Sequence, residues 1–428
     1  MKYRFLFVSI EGLASNLAWQ VSKEGHDVKF FIEKAEYREI ADGLVPKSSD
    51  WSGDLEWADV IVFDDAAGQG KRALEVRQMG KLVIGGTPYT DRLEDDRGFG
   101  QNELKRFGIA TIPQADFDSV DRAIAFIRQN PAAYVLKPSG DGQNIKRLLY
   151  VGQDADGADV IRTLQSYKTT WAHKIKEFQL QQRVWGVEVG IGAFFNGRRF
   201  IRPVNVNFEH KRLFPGDLGP LTGEMGTTMF WSKPNRLFNE TIARMEARLA
   251  EEKFTGYFDL NCIVNSQGIW PLEFTPRFGF PTINIQLEGM LTPIGQFLFA
   301  LASGQDCDFE TRPGFQIGVR LRLPPYPYDD LPMLATFGTD VAIMFKEENL
   351  PGVHIEDVKD VKGQWFATGI EGCPLVIAAS GTTMKEAQTE VYRRISKIEM
   401  PNMYYRNDIG AKWEQDGDKL LTWGYLSA

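Results

Sequence analysis

Short apolar runs alternate with amphipathic stretches through the first ninety residues. Residues 3–10, YRFLFVSI, are almost wholly apolar, and residues 27–33, DVKFFIE, 58–64, ADVIVFD, and 81–87, KLVIGGT, repeat the pattern. Runs of this length bounded by Gly, Asp or Ser predict strands buried on both faces. Between them, residues 14–25, ASNLAWQVSKEG, space their apolar positions for one helical face and stop at Gly25; residues 71–80, KRALEVRQMG, do the same. Strands alternating with helices predict a doubly wound parallel sheet. Ligands of such sheets bind beyond the strand C-termini. Those ends carry SIEGLASN and DDAAGQG, neither of which is a dinucleotide fingerprint.

From about Asp91 the texture changes. A helix is predicted through NELKRFG at 102–108. Residues 132–152 read as strand, glycine loop and strand. Long strands follow from Phe178, then an amphipathic helix over 236–253 and a hairpin over 256–274 with its turn at NSQG. The last part, from about Arg312, mixes short strands with a helix over 383–398. The expected division is an α/β domain at 1–90, a central domain at 91–308 with a smaller subdomain at 113–183, and a mixed α/β domain at 309–428.

At 428 residues the chain exceeds what one core serves, so about two to four domains are expected. The net charge of −8 argues against a nucleic-acid or membrane-surface binder. The opening apolar run meets Glu11 with no cleavage site after it, so it reads as a strand, and nothing approaches a membrane span. Cys262, Cys307 and Cys373 are scattered and odd in number, which offers neither a disulfide framework nor zinc spacing. The expected setting is the reducing cytoplasm.

Candidate chemistry starts at residues 270–280, WPLEFTPRFGF, where Glu273 and Arg277 interrupt an apolar run. In an extended strand Glu273, Thr275 and Arg277 share one face. On the preceding strand Asp259 and Asn261 also share a face, and a bulge at Gly268 would set Asp259 opposite Glu273. Facing carboxylates need a cation between them, and magnesium suits hard oxygens. A one-residue slip would turn Asp259 away, leaving Asn261 as the alternative partner. Lys137 ends a strand ahead of PSGDGQNI, an arrangement suited to nucleotide phosphates or, more simply, an exposed lysine before a turn. The glycine-rich run EHKRLFPGDLGPLTGEMG at 209–226 reads as a long loop of the kind that wraps a substrate.

These motifs together resemble the glycinamide ribonucleotide synthetase family, whose members are ATP-grasp enzymes. GGTPYTDRLEDDRGF, VLKPSGDG, EHKRLFPGDLGPLTGEMG, LEFTPRFGFPT and MYYRNDIG stand in the family's order along nearly the full length. The resemblance implies a central ATP-grasp fold with ATP and magnesium, or manganese, as cofactors. It implies that Glu273 binds the metal, with Asp259 as a second ligand by analogy to D-alanine–D-alanine ligases. Arg277 would face an acyl phosphate, while Lys137 and Arg97 would hold ATP phosphates. Gln181 and Gln182 would lie at the adenine hinge, Glu188 would hold the ribose, and Lys211, Arg212 and Gly223 would contact substrate.

Departures from the family pattern fall on the acceptor side. The first loop lacks the family's glycine-rich, basic character, Asp64 and Asp65 follow the third strand, RFGDPE has become RFGFPT, and Glu224 enters the glycine loop. The expected activity is therefore an ATP-dependent carboxylate–amine ligase working through an acyl phosphate. Its alternatives are a diverged member joining glycine or another small amino acid to a different amine, in modified-nucleotide or secondary metabolism, and a nucleotide binder without catalysis. The expected partners are small molecules, with the chain a monomer or homodimer and no nucleic acid or membrane involved.

Overall fold

Alternate residues of the first strand enter different cores. In β1 (Arg4–Ser9) Phe5 and Phe7 pack into one buried cluster with Val60 and Val62, while Leu6 and Val8 pack into another with Ile61, Phe63 and Val83. With β2 (Asp27–Ile32), β3 (Val60–Phe63) and β4 (Leu82–Ile84), β1 forms a parallel sheet in the order 2-1-3-4. Helix α1 (Ser15–Lys23) follows β1 and α2 (Gln69–Gln78) follows β3. Burial on both faces explains the unbroken apolar runs. After β4, Thr87 caps α3 (Pro88–Asp95) in a capping box with Thr90, and Asp96 caps α4 (Arg97–Arg106) by accepting from Phe99 N–H at 2.9 Å.

This computed structural model describes residues 1–139, 148–170, 176–306, 308–328 and 330–426. They fall into two units: Met1–Ile109 with Glu188–Cys262 and Leu272–Ala428, and Ala110–Val187 with Ile263–Pro271. The smaller unit holds a sheet of β5 (Gln114–Phe117), β6 (Tyr134–Pro138), β7 (Tyr150–Val151) and β8 (Phe178–Gln182), in the order 5-8-6-7. Its helices α5 (Val120–Gln129) and α6 (Ala158–Thr170) add Ile124, Ile127, Val160 and Leu164 to a core with Leu136, Phe178 and Leu180. The glycine loop expected after Lys137 lies mostly at 140–147, outside the described residues, as does Cys307.

In the larger unit the chain next forms β9 (Val187–Asn196), β10 (Val204–Glu209), the short pair β11 (Arg212–Phe214) and β12 (Leu218–Leu221), and β13 (Gly226–Ser232). Then come β14 (Thr255–Asn265), β15 (Gly268–Thr275), β16 (Phe315–Leu321), β17 (Ala342–Phe345), β18 (Val353–Ile355), β19 (Val358–Val361), β20 (Gln364–Ala367), β21 (Leu375–Gly381) and β22 (Ile398–Glu399). Eight of them make one sheet in the order 15-14-9-10-13-16-21-18, and four make another in the order 19-20-17-22. The amphipathic stretch 236–253 is not one helix. It runs as Arg236–Glu240, a tight turn at Ile242–Met245 and Glu246–Glu251, broken at Thr241 with φ −124° and ψ −105°. The buried Thr241 hydroxyl donates to Leu237 O, which competes with the helical ladder. The buried residues Leu237, Phe238, Ile242, Met245 and Leu249 keep their spacing across the break, so the apolar pattern hides it.

Candidate functional site

The strand order of the large sheet gathers charge on one face. Lys211, two residues beyond Glu209 at the end of β10, directs its ammonium among three carboxylates. They are Glu209 at 3.1 Å, Glu273 of β15 at 3.2 Å and Glu188 of β9 at 3.4 Å. Burial alone would lower the Lys211 pKa, but the three acids outweigh it and hold the amine charged far above its usual range. Asn261 of β14 donates to Glu209 at 3.1 Å. Phe274, next to Glu273, packs on Phe258 with ring centroids 5.6 Å apart, so Glu273 and Asp259 face away from that ring contact. Arg97 also belongs here: burial lowers its pKa and the Glu273 charge opposes that shift.

Asp259 is fastened further along the strand. Its Oδ2 accepts from Tyr257 OH and from Asn207 Nδ2, each at 2.9 Å. Burial, reinforced by the Glu209 charge, pushes its carboxyl up to about 7. Of the three acids on the Lys211 ammonium, Glu209 is the one the sequence reading passed over. The signal was present: Glu209 and Lys211 are two residues apart and alternate onto one side.

Arg277 is held by one acid from α3 and one from the loop after β3. Its Nη2 donates to Glu94 Oε1 at 2.8 Å, its Nε lies 3.5 Å from Asp65 Oδ1, and its Nη1 donates to Phe278 O at 3.0 Å. Burial would lower its pKa; Glu94 and Asp65 raise it instead. The pair Asp64 and Asp65 thus does not stand as two open charges. Asp64 is wholly buried and its Oδ2 accepts from Ala14 N–H at 2.8 Å, where α1 begins. Burial pushes its carboxyl up to about 7. Ser9 Oγ accepts from Gly12 N–H at 2.7 Å and closes the same loop. Paired with Arg277, Asp65 adds less repulsion for an anion than the sequence alone implies.

The glycine-rich loop is anchored at one end and turned tightly. Arg212 Nη1 donates to Gly219 O at 2.7 Å, across the β11–β12 pair. Gly219 has φ +81°, and a Cβ there would stand 2.6 Å from the Phe214 ring. Arg406, from the MYYRNDIG motif, binds the other side of this loop. Its Nη1 donates to Arg212 O at 3.0 Å and Asp217 Oδ1 at 2.9 Å, and Asp408 takes its Nε and Nη2 at 2.8 Å each. Gly223 is an exposed bend beside Glu224, which is buried and accepts from the Thr227 hydroxyl. Burial and the Glu209 charge raise the Glu224 pKa well above the carboxylate range.

In the smaller unit Lys137 pairs with Gln179 across β6 and β8, and Gln181 pairs with Gln114 across β8 and β5. Gln181 Nε2 lies 3.5 Å from Gln114 Oε1, and Gln182 is exposed. Among the described residues no helix is long and apolar enough to cross a membrane, and Cys262 and Cys373 are free thiols.

Residues 95–283 match the family model of the phosphoribosylglycinamide synthetase ATP-grasp (A) domain. The phosphoribosylamine–glycine ligase of Leifsonia xyli is 29% identical over 79% of this chain and 80% of its own. That of Lactococcus lactis is 24% identical over 77% and 78%. Among solved structures, the phosphoribosylamine–glycine ligase of Thermotoga maritima aligns with a TM-score of 0.70 at 22% identity, covering 95% of this chain and all of that one. The biotin carboxylase domain of the Hydrogenobacter thermophilus 2-oxoglutarate carboxylase, solved with MgADP and bicarbonate, aligns at 0.66 with 12% identity, covering 100% of both.

Proposed function

We propose that this chain, which carries the ATP-grasp domain of the phosphoribosylglycinamide synthetase family over residues 95–283, is an ATP-dependent ligase that joins a small amino acid to an amine. The observation that carries the proposal is the cluster of Glu188, Glu209 and Glu273 around Lys211, with Arg97 coupled to it. The reaction it supports is transfer of the ATP γ-phosphoryl group to a carboxylate, followed by attack of the amine on the acyl phosphate with release of phosphate.

The donor set fits a hard divalent ion. No group of three or more His, Cys, Asp or Glu side chains forms an ion cage among the described residues. Magnesium in phosphoryl-transfer sites asks for less: one or two carboxylates, with phosphate oxygens and water completing the shell. The Glu273 side chain is 59% exposed and Glu209 stands beside it, so these two would hold the ion; manganese suits the same oxygens. The bound ion would neutralise charge on the transferring phosphoryl group. Lys211 and Arg97 add fixed positive charge on the same side. Arg277, its orientation set by Glu94 and Asp65, would hold an acyl phosphate.

The test is ADP release by the purified chain with ATP, magnesium and single amino acids, with hydroxylamine trapping the acyl phosphate as a hydroxamate. Amino-acid-dependent hydroxamate is expected, and Glu273→Ala should lower it by roughly 10²- to 10³-fold without changing the melting temperature. Turnover of the variant within a few-fold of the parent would overturn the metal assignment. No hydroxamate from any amino acid would overturn the ligase.

A further inference from the structure

Arg320 in β16 and Arg322 just after it are two residues apart, so both point to one side of the strand. Arg320 donates through Nη2 to Glu356 Oε1 at 2.5 Å. The Arg320 Nε has no partner, and neither has Glu356 Oε2. Arg322 is wholly buried and its side chain makes one hydrogen bond, from Nη2 to Glu224 O at 2.5 Å. Its guanidinium lies over the Tyr326 ring, 3.8 Å from the centroid, while its Nη1 and Nε are buried without partners. Buried polar groups are nearly always bonded, and leaving charged ones unmet is expensive. Here three unmet donors and one unmet acceptor occupy a single cluster.

The cluster is continuous with the Lys211 site. Glu224 feels Glu209 and Lys211 on one hand and Arg320 and Glu356 on the other. Burial raises the Glu224 and Asp357 carboxyls well above their usual range, and Glu356 is the acid bonded directly to Arg320. The Arg320 and Glu356 side chains each keep 11% of their surface open, at the edge of an otherwise closed site. Open N–H donors beside an open carboxylate oxygen are the inverse of a molecule with a carboxylate and an ammonium on one carbon.

We propose that Arg320, Arg322 and Glu356 bind a zwitterionic α-amino acid, the arginines taking its carboxylate and Glu356 its ammonium. The proposal rests on the ligase reading above and gives its amino-acid substrate a place. Three unmet guanidinium nitrogens against one unmet carboxylate oxygen predict that the carboxylate is the stronger handle.

Calorimetry on the full chain would measure glycine, then each standard amino acid, with acetate and methylamine as the two halves of glycine. At least one α-amino acid should bind. Its deaminated acid should bind about tenfold more weakly, and its decarboxylated amine more weakly still. Arg322→Lys should weaken the amino acid at least tenfold. Glu356→Gln should weaken the amino acid but leave the deaminated acid within twofold, a split that general loss of structure would not produce. Arg320→Lys, which keeps the charge, should retain more affinity than Arg320→Met. Failure of every amino acid to bind, or variants within twofold of the parent, overturns the site. Hydroxamate formed equally well by the variants removes the site and keeps the ligase. Binding that the variants lose, in a chain that releases no ADP, keeps the site and removes the ligase.

Discussion

Two arginines of the larger unit are wholly buried, and their surroundings differ sharply. Arg406 spends its donors on Asp408, Asp217 and the Arg212 carbonyl. Against burial, which alone would raise it, Arg406 holds the Asp408 carboxyl below its usual range. Arg322 has one carbonyl, one aromatic face and two idle nitrogens. A buried charge with every bond made is a device for fixing chain segments; a buried charge left open is held for something else to complete. The contrast separates architecture from recognition within one unit, where both residues would otherwise be counted as core.

The largest effect that would break this contrast is on stability at Arg406. Arg406→Met leaves Asp408 and Asp217 without their shared partner and should cost about 3 kcal/mol in urea unfolding. A loss under about 1 kcal/mol would put the two arginines in the same class.

Asp64 offers an intermediate case, because one of its oxygens is bonded and the other, Oδ1, is buried without a partner. Its folded-state pKa, about 7, lies above the unfolded value of 3.8. Its contribution to stability is therefore full below about pH 4 and lost as pH rises through about 7. Between pH 5 and 8 the parent should lose stability through this group, and Asp64→Asn should make the fall shallower by about 2 kcal/mol. Equal pH slopes for parent and variant would show that the Asp64 charge is compensated.

The smallest effect is expected at Arg322. Exchanging a mostly unbonded buried cation for an apolar side chain of similar length should leave stability within about 1 kcal/mol. A cost as large as that at Arg406 would make Arg322 a structural residue and sharpen the comparison against the amino-acid site.

The N-terminal sheet was legible because Phe5 and Leu6 serve opposite faces, so every position had to be apolar. The shared face of Asp259 and Asn261 was legible because strand alternation is local. The Lys211 cluster was not, since Lys211 and Glu273 are 62 residues apart and meet only through the strand order 15-14-9-10. The Glu94 partner of Arg277 lies 183 residues away, beyond any spacing rule. The helix expected at 236–253 failed for the opposite reason: its periodicity was genuine, but a single buried hydroxyl at Thr241 outcompeted it.

The Arg406 clamp also sets an order of assembly. Arg212 and Asp217 leave the ribosome long before Arg406, which follows 194 and 189 residues later. Through that interval the loop beside Lys211 is made but has no latch. A chain released after residue 283 would contain the whole matched ATP-grasp segment and still lack the arginine that fastens its glycine-rich loop. The distal tail thus acts as a completion check, since the loop is locked only in a chain that has been translated through residue 408.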